Sequence, residues 1–180
     1  MNRRREFLKK SLIVGTGFIV SPAELFSLSL PIDKTLILHN SHTGESIKST
    51  FWSKDHYVKS EVKRLNHFFR DFRQNETAKM DKNLYQLLYG IQLVSNSKKP
   101  VDILSGFRSI KTNKKLRRYS KGVAKRSYHV RAKAIDFNIS DRYVKQTLKL
   151  ARMLELGGVG YYPKSGFVHI DTGPIRYWRG

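Results

Sequence analysis

Along this chain the apolar positions alternate first and then fall into helical intervals. TLILHN, Thr35 to Asn40, is rich in β-favouring residues, and SIKSTFW sets Ile47, Ser49 and Phe51 on one face. The turn residues SHTGE lie between the two runs, so the pattern predicts a β-hairpin. Val58, Val62, Leu65, Phe69 and Phe72 then share one stripe of a helix over roughly residues 58–73. A second helix is capped by Asp81 and turns Leu84, Leu87, Leu88 and Ile91 inward.

From residue 100 the elements shorten. PVDIL is a short strand running into SGFRS, a short basic helix follows within TNKKLRRYS, and the loop KGVAKRSYH enters the strand KAIDFNI. A third long helix is predicted to start near Asp141, with Val144, Leu148, Ala151 and Leu154 inward, and to stop at Gly157-Gly158. Two closing strands, GVGYY and GFVHID, flank the turn PKS. Strands and helices follow one another without regular βαβ alternation, which makes α+β the expected class.

Composition narrows the chemistry. A chain of 180 residues suits one domain with appendages, and 39% hydrophobic content excludes general disorder. The absence of cysteine excludes disulfides, thiolate zinc sites and a thiol nucleophile, so any metal must be held by His, Asp or Glu. The formal charge of +21 predicts attraction to polyanions: nucleic acid, anionic lipid or the carboxylate-rich peptides of a bacterial wall. A solvated lysine surface is the bland alternative.

Residues 1–30 read as an address. Arg4-Arg5 followed by Glu6-Phe7-Leu8-Lys9 resembles a twin-arginine export signal, with Arg3 in place of the usual Ser or Thr. The apolar run Leu12–Val20 is too short for a bilayer-spanning helix, which needs about 20 residues, and it has the basic start of a secretory signal. The expected organisation is therefore a signal over 1–30 and one domain over 31–180, acting in the periplasm, with membrane tethering only if the signal stays uncleaved. Five basic and two acidic residues lie in that segment, so the exported part keeps +18. Export argues against nucleic acid as the partner and makes the twin-arginine machinery a transient one.

Three candidate ligands stand in different local settings: His129 before a strand, Asp136 within it and His169 in the last strand. Two imidazoles and a carboxylate would leave the fourth position of a zinc ion to water, whose pKa zinc lowers to about 7. By spacing alone, an ordinary loop histidine followed by a strand aspartate fits as well. His39, His42, His56 and His67 lack a carboxylate at ligand spacing and are read as structural or surface residues.

The surrounding motifs carry more. SGFRS at 105–109, SYHVRAKAID at 127–136 and GGVGYYPKSGFVHIDTGPIRYW at 157–178 resemble, in order and spacing, the zinc peptidases of the D-Ala-D-Ala peptidase superfamily, with the signature S-x-H-x-x-G-x-A-x-D followed by a later zinc histidine. Within it the chain is most similar to the YcbK-like, MepK-type murein endopeptidases. The likeness implies a small, mainly antiparallel sheet flanked by helices and carrying Zn2+ on His129, Asp136 and His169. It implies Arg108 as the group that holds a substrate carboxylate or stabilises the oxyanion, with Ser127 and Tyr128 beside the substrate. Tyr128, Tyr161, Tyr162 and Trp178 would wall the cleft or, as aromatics near strand ends more often do, simply pack. A strand-locking salt bridge is the structural alternative for Arg108. The motif glycine is Ala132 here, which costs roughly 1 kcal/mol if the backbone needs φ > 0. Relatives place an acid three residues before the last zinc histidine, where this chain has Gly166. Asp171 is the nearest acid, on the same strand face as His169, and serves as general base, as orienter of His169 or as a structural carboxylate. The implied activity is zinc-dependent hydrolysis of diaminopimelate-containing peptidoglycan cross-links. A non-catalytic wall binder of the same fold and a murein carboxypeptidase are the rival readings.

Overall fold

In the computed structural model the described residues are 33–120 and 122–180; the export signal expected over residues 1–30 lies outside them. The expected hairpin forms as β1 (Lys34–Asn40) and β2 (Ser46–Ser53), paired antiparallel. Its faces follow the period-2 pattern: Leu36 and Leu38 are fully buried, while Ile37 between them is 42% exposed. A two-residue strand, β3 (His56–Tyr57), extends the edge at β2. The chain makes α1 (Lys59–Phe68) and α2 (Lys82–Ser95) before returning as β4 (Val101–Ser105), parallel to β1. Then come α3 (Ile110–Tyr119), a 3-10 turn (Tyr128–Arg131), β5 (Ala134–Ile139), α4 (Val144–Met153), β6 (Gly158–Tyr162), β7 (Phe167–Asp171) and β8 (Arg176–Arg179). Among the described residues eight strands form one sheet in the order β3-β2-β1-β4-β5-β7-β6-β8. Only β1–β4 and β6–β8 run parallel, so the class is α+β with a mainly antiparallel sheet.

Sheet register decides which side carries chemistry. Leu38 pairs with Val101 and Val101 with Ile139, while Ile103 pairs with Phe137 and Phe137 with Val168. Directly opposed residues share a face, and this one is covered by α2 on β1 and α4 on β5, β6 and β7. Each large side chain buried there stabilises the fold by about 1.5–3 kcal/mol. Asp136, His169 and Asp171 sit between these positions along their strands and therefore fall on the opposite face.

Where the chain departs from its periodicity, tertiary bonds explain why. α1 ends at Phe68 instead of continuing to residue 73. Phe69 is buried, and its carbonyl accepts the Phe107 N–H at 2.8 Å from the SGFRS loop. The chain then turns so that Asp71, also buried, accepts the N–H groups of Ser109 (2.9 Å) and Arg73 (3.1 Å). Burial would raise the Asp71 pKa, but its hydrogen bonds outweigh this and hold the carboxyl below its usual range. α4 starts at Val144 and stops at Met153, short of Gly157, because Glu155 takes a left-handed φ of 46° and Gly158 is already paired with Asp171 in β6. β8 is a third closing strand where two were expected.

Candidate metal centre

Local turns set His129. Ser127 caps the 3-10 turn by accepting the His129 N–H at 3.3 Å. The turn closes at Ala132 with φ 55° and ψ 35°, the left-handed shape that the motif glycine would adopt. Alanine takes it at a strain of about 1 kcal/mol. Its N–H donates to the His129 carbonyl at 3.1 Å, and its own carbonyl accepts the Asp81 N–H at 2.9 Å. The turn therefore keeps its shape despite the substitution. Antiparallel pairing sets the other two groups: Asp136 on β5 lies directly opposite His169 on β7.

The candidate ligand atoms of His129, Asp136 and His169 lie within 4.8 Å of one another, and all three residues are buried. His129 Nε2 is 3.2 Å from Asp136 Oδ1 and 3.2 Å from His169 Nδ1, and His169 Nδ1 is 2.7 Å from Asp136 Oδ1. Outer partners fix the imidazole tautomers. His129 Nδ1 is 2.7 Å from the Gly106 carbonyl, which can only accept, so Nδ1 carries the hydrogen. His169 Nε2 is 3.1 Å from the Asp171 carboxylate and carries its hydrogen there. Neutral His129 then presents a lone pair at Nε2 and neutral His169 one at Nδ1, both toward an Asp136 oxygen. Three acceptors this close repel one another unless a cation sits among them. This donor set fits zinc.

Electrostatics agree with that protonation at His129, whereas at His169 the carboxylates on either side pull toward the charged form. Burial pushes the His129 imidazole down to about 4. Burial also lowers His169, but its bonds to Asp136 and Asp171 outweigh it and the net shift is upward. Burial would raise Asp136; the charge and hydrogen bonds of His129 and His169 instead hold its carboxyl well below the usual range.

Arg108 touches this group directly. Its Nη2 donates to Asp136 Oδ2 at 2.5 Å and its Nε to Ser105 Oγ at 2.8 Å, leaving three of its five N–H groups for the cleft it lines. Asp171 is fully buried and saturated. Besides His169 it accepts Arg176 (2.6 and 3.0 Å), the Gly173 N–H (2.8 Å) and the Gly158 N–H (3.3 Å). Of the three roles open in the sequence, this environment favours orienting His169. Among the described residues Asp136 is the one carboxylate that lines the cleft, and Asp171 lies behind its wall.

The cleft above the cluster has a volume of about 470 Å³. Arg126, Tyr128, Tyr162, Phe167 and Trp178 contribute to its walls. The Trp178 indole reaches His169 (5.2 Å between ring centroids) because Gly160 leaves room; a Cβ there would lie 2.6 Å from the indole. Ser127 lines the cleft, but its hydroxyl is used in the cap. Tyr161, expected in the wall, instead lines a separate groove with Tyr143 and Lys149 on the helix side of the sheet, one residue out of phase with Tyr162. His39 pairs with Asp102 at 2.9 Å and His42 stacks on Phe72 at 4.8 Å, away from the cluster. Arg176 and the Gly106 carbonyl escape sequence reading: no spacing rule marks a carbonyl, and Arg176 belongs to the unexpected strand β8.

A family model described as peptidoglycan L,D-endopeptidase MepK matches residues 31–178. The chain is 45% identical over 177 residues to the peptidoglycan L,D-endopeptidase MepK of Escherichia coli (strain K12), spanning 98% of this chain and 97% of that one. The protein of the same name from Shigella flexneri matches with the same identity and coverage. A probable peptidoglycan L,D-endopeptidase MepK of Haemophilus influenzae is 38% identical over 169 residues, 93% of this chain and 91% of its own.

Proposed function

The chain belongs to the peptidoglycan L,D-endopeptidase MepK family, and we propose from this premise that it is a zinc-dependent endopeptidase that cuts diaminopimelate-containing cross-links of the cell wall. The observation that carries the zinc reading is the convergence of two imidazole lone pairs and one carboxylate oxygen, with both tautomers fixed from outside. His129 Nε2, Asp136 Oδ1 and His169 Nδ1 are the atoms that would hold the ion. When bound, zinc supplies Lewis-acid polarisation of the scissile carbonyl and brings the pKa of a water into the neutral range.

The chain's own residues supply the rest. Arg108 holds the second oxygen of Asp136 and offers its remaining donors to the oxygen that gains charge as the amide is attacked. Asp171 is a positioning residue: it keeps the His169 hydrogen on Nε2 and so keeps Nδ1 free to coordinate. Tyr162, Phe167 and Trp178 provide apolar walls for a peptide, and Arg126 and Arg176 give the cleft a positive lining suited to stem-peptide carboxylates.

Incubation with purified murein followed by muropeptide analysis tests the activity. Loss of cross-linked dimers is the expected result. Shortened monomers with intact dimers would indicate a carboxypeptidase, and an unchanged profile with retained binding would indicate a wall binder. The Arg4-Arg5 segment supports action in the periplasm after twin-arginine export. Lysine at both positions is expected to leave the chain in the cytoplasmic fraction; unchanged export would remove that reading.

A further inference from the structure

We propose that the exposed face of α3 is a docking surface for the free carboxylates of intact peptidoglycan, beside the cleft and separate from its chemistry. The inference rests on the murein-peptidase reading above. Positive charge is concentrated here: residues 103–135 hold eleven Lys and Arg and no Asp or Glu. On α3 itself Lys111, Lys114, Lys115, Arg117 and Arg118 are all exposed, and none makes an ion pair, hydrogen bond or ring contact with another described residue. Elsewhere, by contrast, arginines are engaged, as Arg64 is with Glu61, Arg70 with Glu45 and Arg152 over Tyr177.

The arrangement works against the helix that carries it. Lys111 with Lys115 and Lys114 with Arg118 are like charges four residues apart, on one side of the helix. Lys111 also lies in the first turn, where the helix dipole disfavours a cation. The helix is held from its buried side instead. Ser109 caps it by accepting the Thr112 N–H at 3.1 Å, and Asp71 accepts the Ser109 N–H at 2.9 Å. Asn113 Nδ2 donates to the Ala124 carbonyl at 3.1 Å, tying the helix to the loop whose Val123, Ala124 and Arg126 line the cleft. A polymer bearing carboxylates at intervals neutralises such a face, and once seated on α3 it lies on the helix that is tied to the cleft-lining loop. Intact peptidoglycan has that chemistry, whereas a single soluble muropeptide is too short to use both α3 and the cleft fully.

The test compares the full chain with its Lys111→Gln, Lys114→Gln, Lys115→Gln, Arg118→Gln variant. A control variant removes four exposed charges elsewhere, at Lys48, Lys63, Lys145 and Lys149. Binding to purified sacculi is measured on ice against salt, and cleavage is measured on a soluble cross-linked muropeptide. The α3 variant is expected to bind sacculi about tenfold or more weakly at low salt, with kcat/KM on the soluble substrate unchanged and the control within about twofold of wild type. Amidation of the sacculus carboxylates should erase the wild-type advantage. Equal losses in both variants, or full retention by the α3 variant, would overturn the proposal. So would an α3 defect confined to anionic phospholipid vesicles, which would make the surface membrane-directed. If wild type binds sacculi through α3 yet never cleaves the muropeptide, the peptidase reading fails while the docking surface stands.

Discussion

His169→Ala is expected to abolish zinc retention and lower murein cleavage by roughly a thousandfold or more, with the fold intact. Metal polarisation of an amide carbonyl is worth several kcal/mol of barrier, and about 1.4 kcal/mol is a tenfold change in rate. The fold should survive because the cluster without metal is a repulsive arrangement, three acceptor atoms within 3.2 Å of one another. Removing one acceptor relieves that repulsion and offsets much of the cavity it leaves. Zinc should therefore raise the melting temperature of the wild type, by the equivalent of about 2.7 kcal/mol at a hundredfold excess over Kd, and leave the variant unmoved. Elemental analysis of zinc per chain and a thermal shift with added zinc check both halves. Equal zinc in the two proteins, with the same thermal shift, would remove His169 from the ligand set.

The parts of this molecule that were legible in the sequence are those governed by local rules. Asp81 followed by Leu84, Leu87, Leu88 and Ile91 yields a helix that caps and buries as its spacing says, because N-capping and the 3.6-residue period act within one element. The same holds for the alternation of β1. α1 shows the limit: its stripe continues through Phe69 and Phe72, yet the Phe69 carbonyl is taken by Phe107, thirty-eight residues away, and a local pattern cannot register that competition. The cluster falls between these cases. Motif spacing singles out His129, Asp136 and His169, but their convergence depends on Asp136 standing opposite His169 in the β5–β7 register, a pairing between distant strands. What makes three neighbours fit a cation was half legible: strand spacing left Asp171 open to orienting His169, whereas the Gly106 carbonyl that fixes the hydrogen of His129 carries no sequence signal.

That dependence makes Asp171→Asn the sharper experiment, because it changes no metal ligand and almost no volume. Every contact of the Asp171 carboxylate is an accepted hydrogen bond, from His169 Nε2, Gly158, Gly173 and Arg176. An amide has one oxygen and one NH2, and neither orientation suits this site. With its oxygen toward His169, the NH2 confronts the Gly158 and Gly173 N–H groups and Arg176. With its NH2 toward His169, Nε2 must become the acceptor, so the hydrogen moves to Nδ1 and removes the lone pair facing Asp136 and His129. The first arrangement costs about 1–3 kcal/mol of stability through opposed donors, and the second weakens coordination itself. Zinc affinity is expected to fall by about 10–100-fold, and nitrogen-15 NMR of the metal-free variant should show His169 shifting toward the Nδ1–H tautomer. Ser165→Ala, in the cleft but bonded to no ligand, serves as the control and should bind zinc as wild type does. A variant that loses stability yet keeps wild-type zinc affinity and the Nε2–H tautomer would reduce Asp171 to a fastener between β7 and Arg176 of β8. The oriented imidazole would then owe its geometry to packing alone.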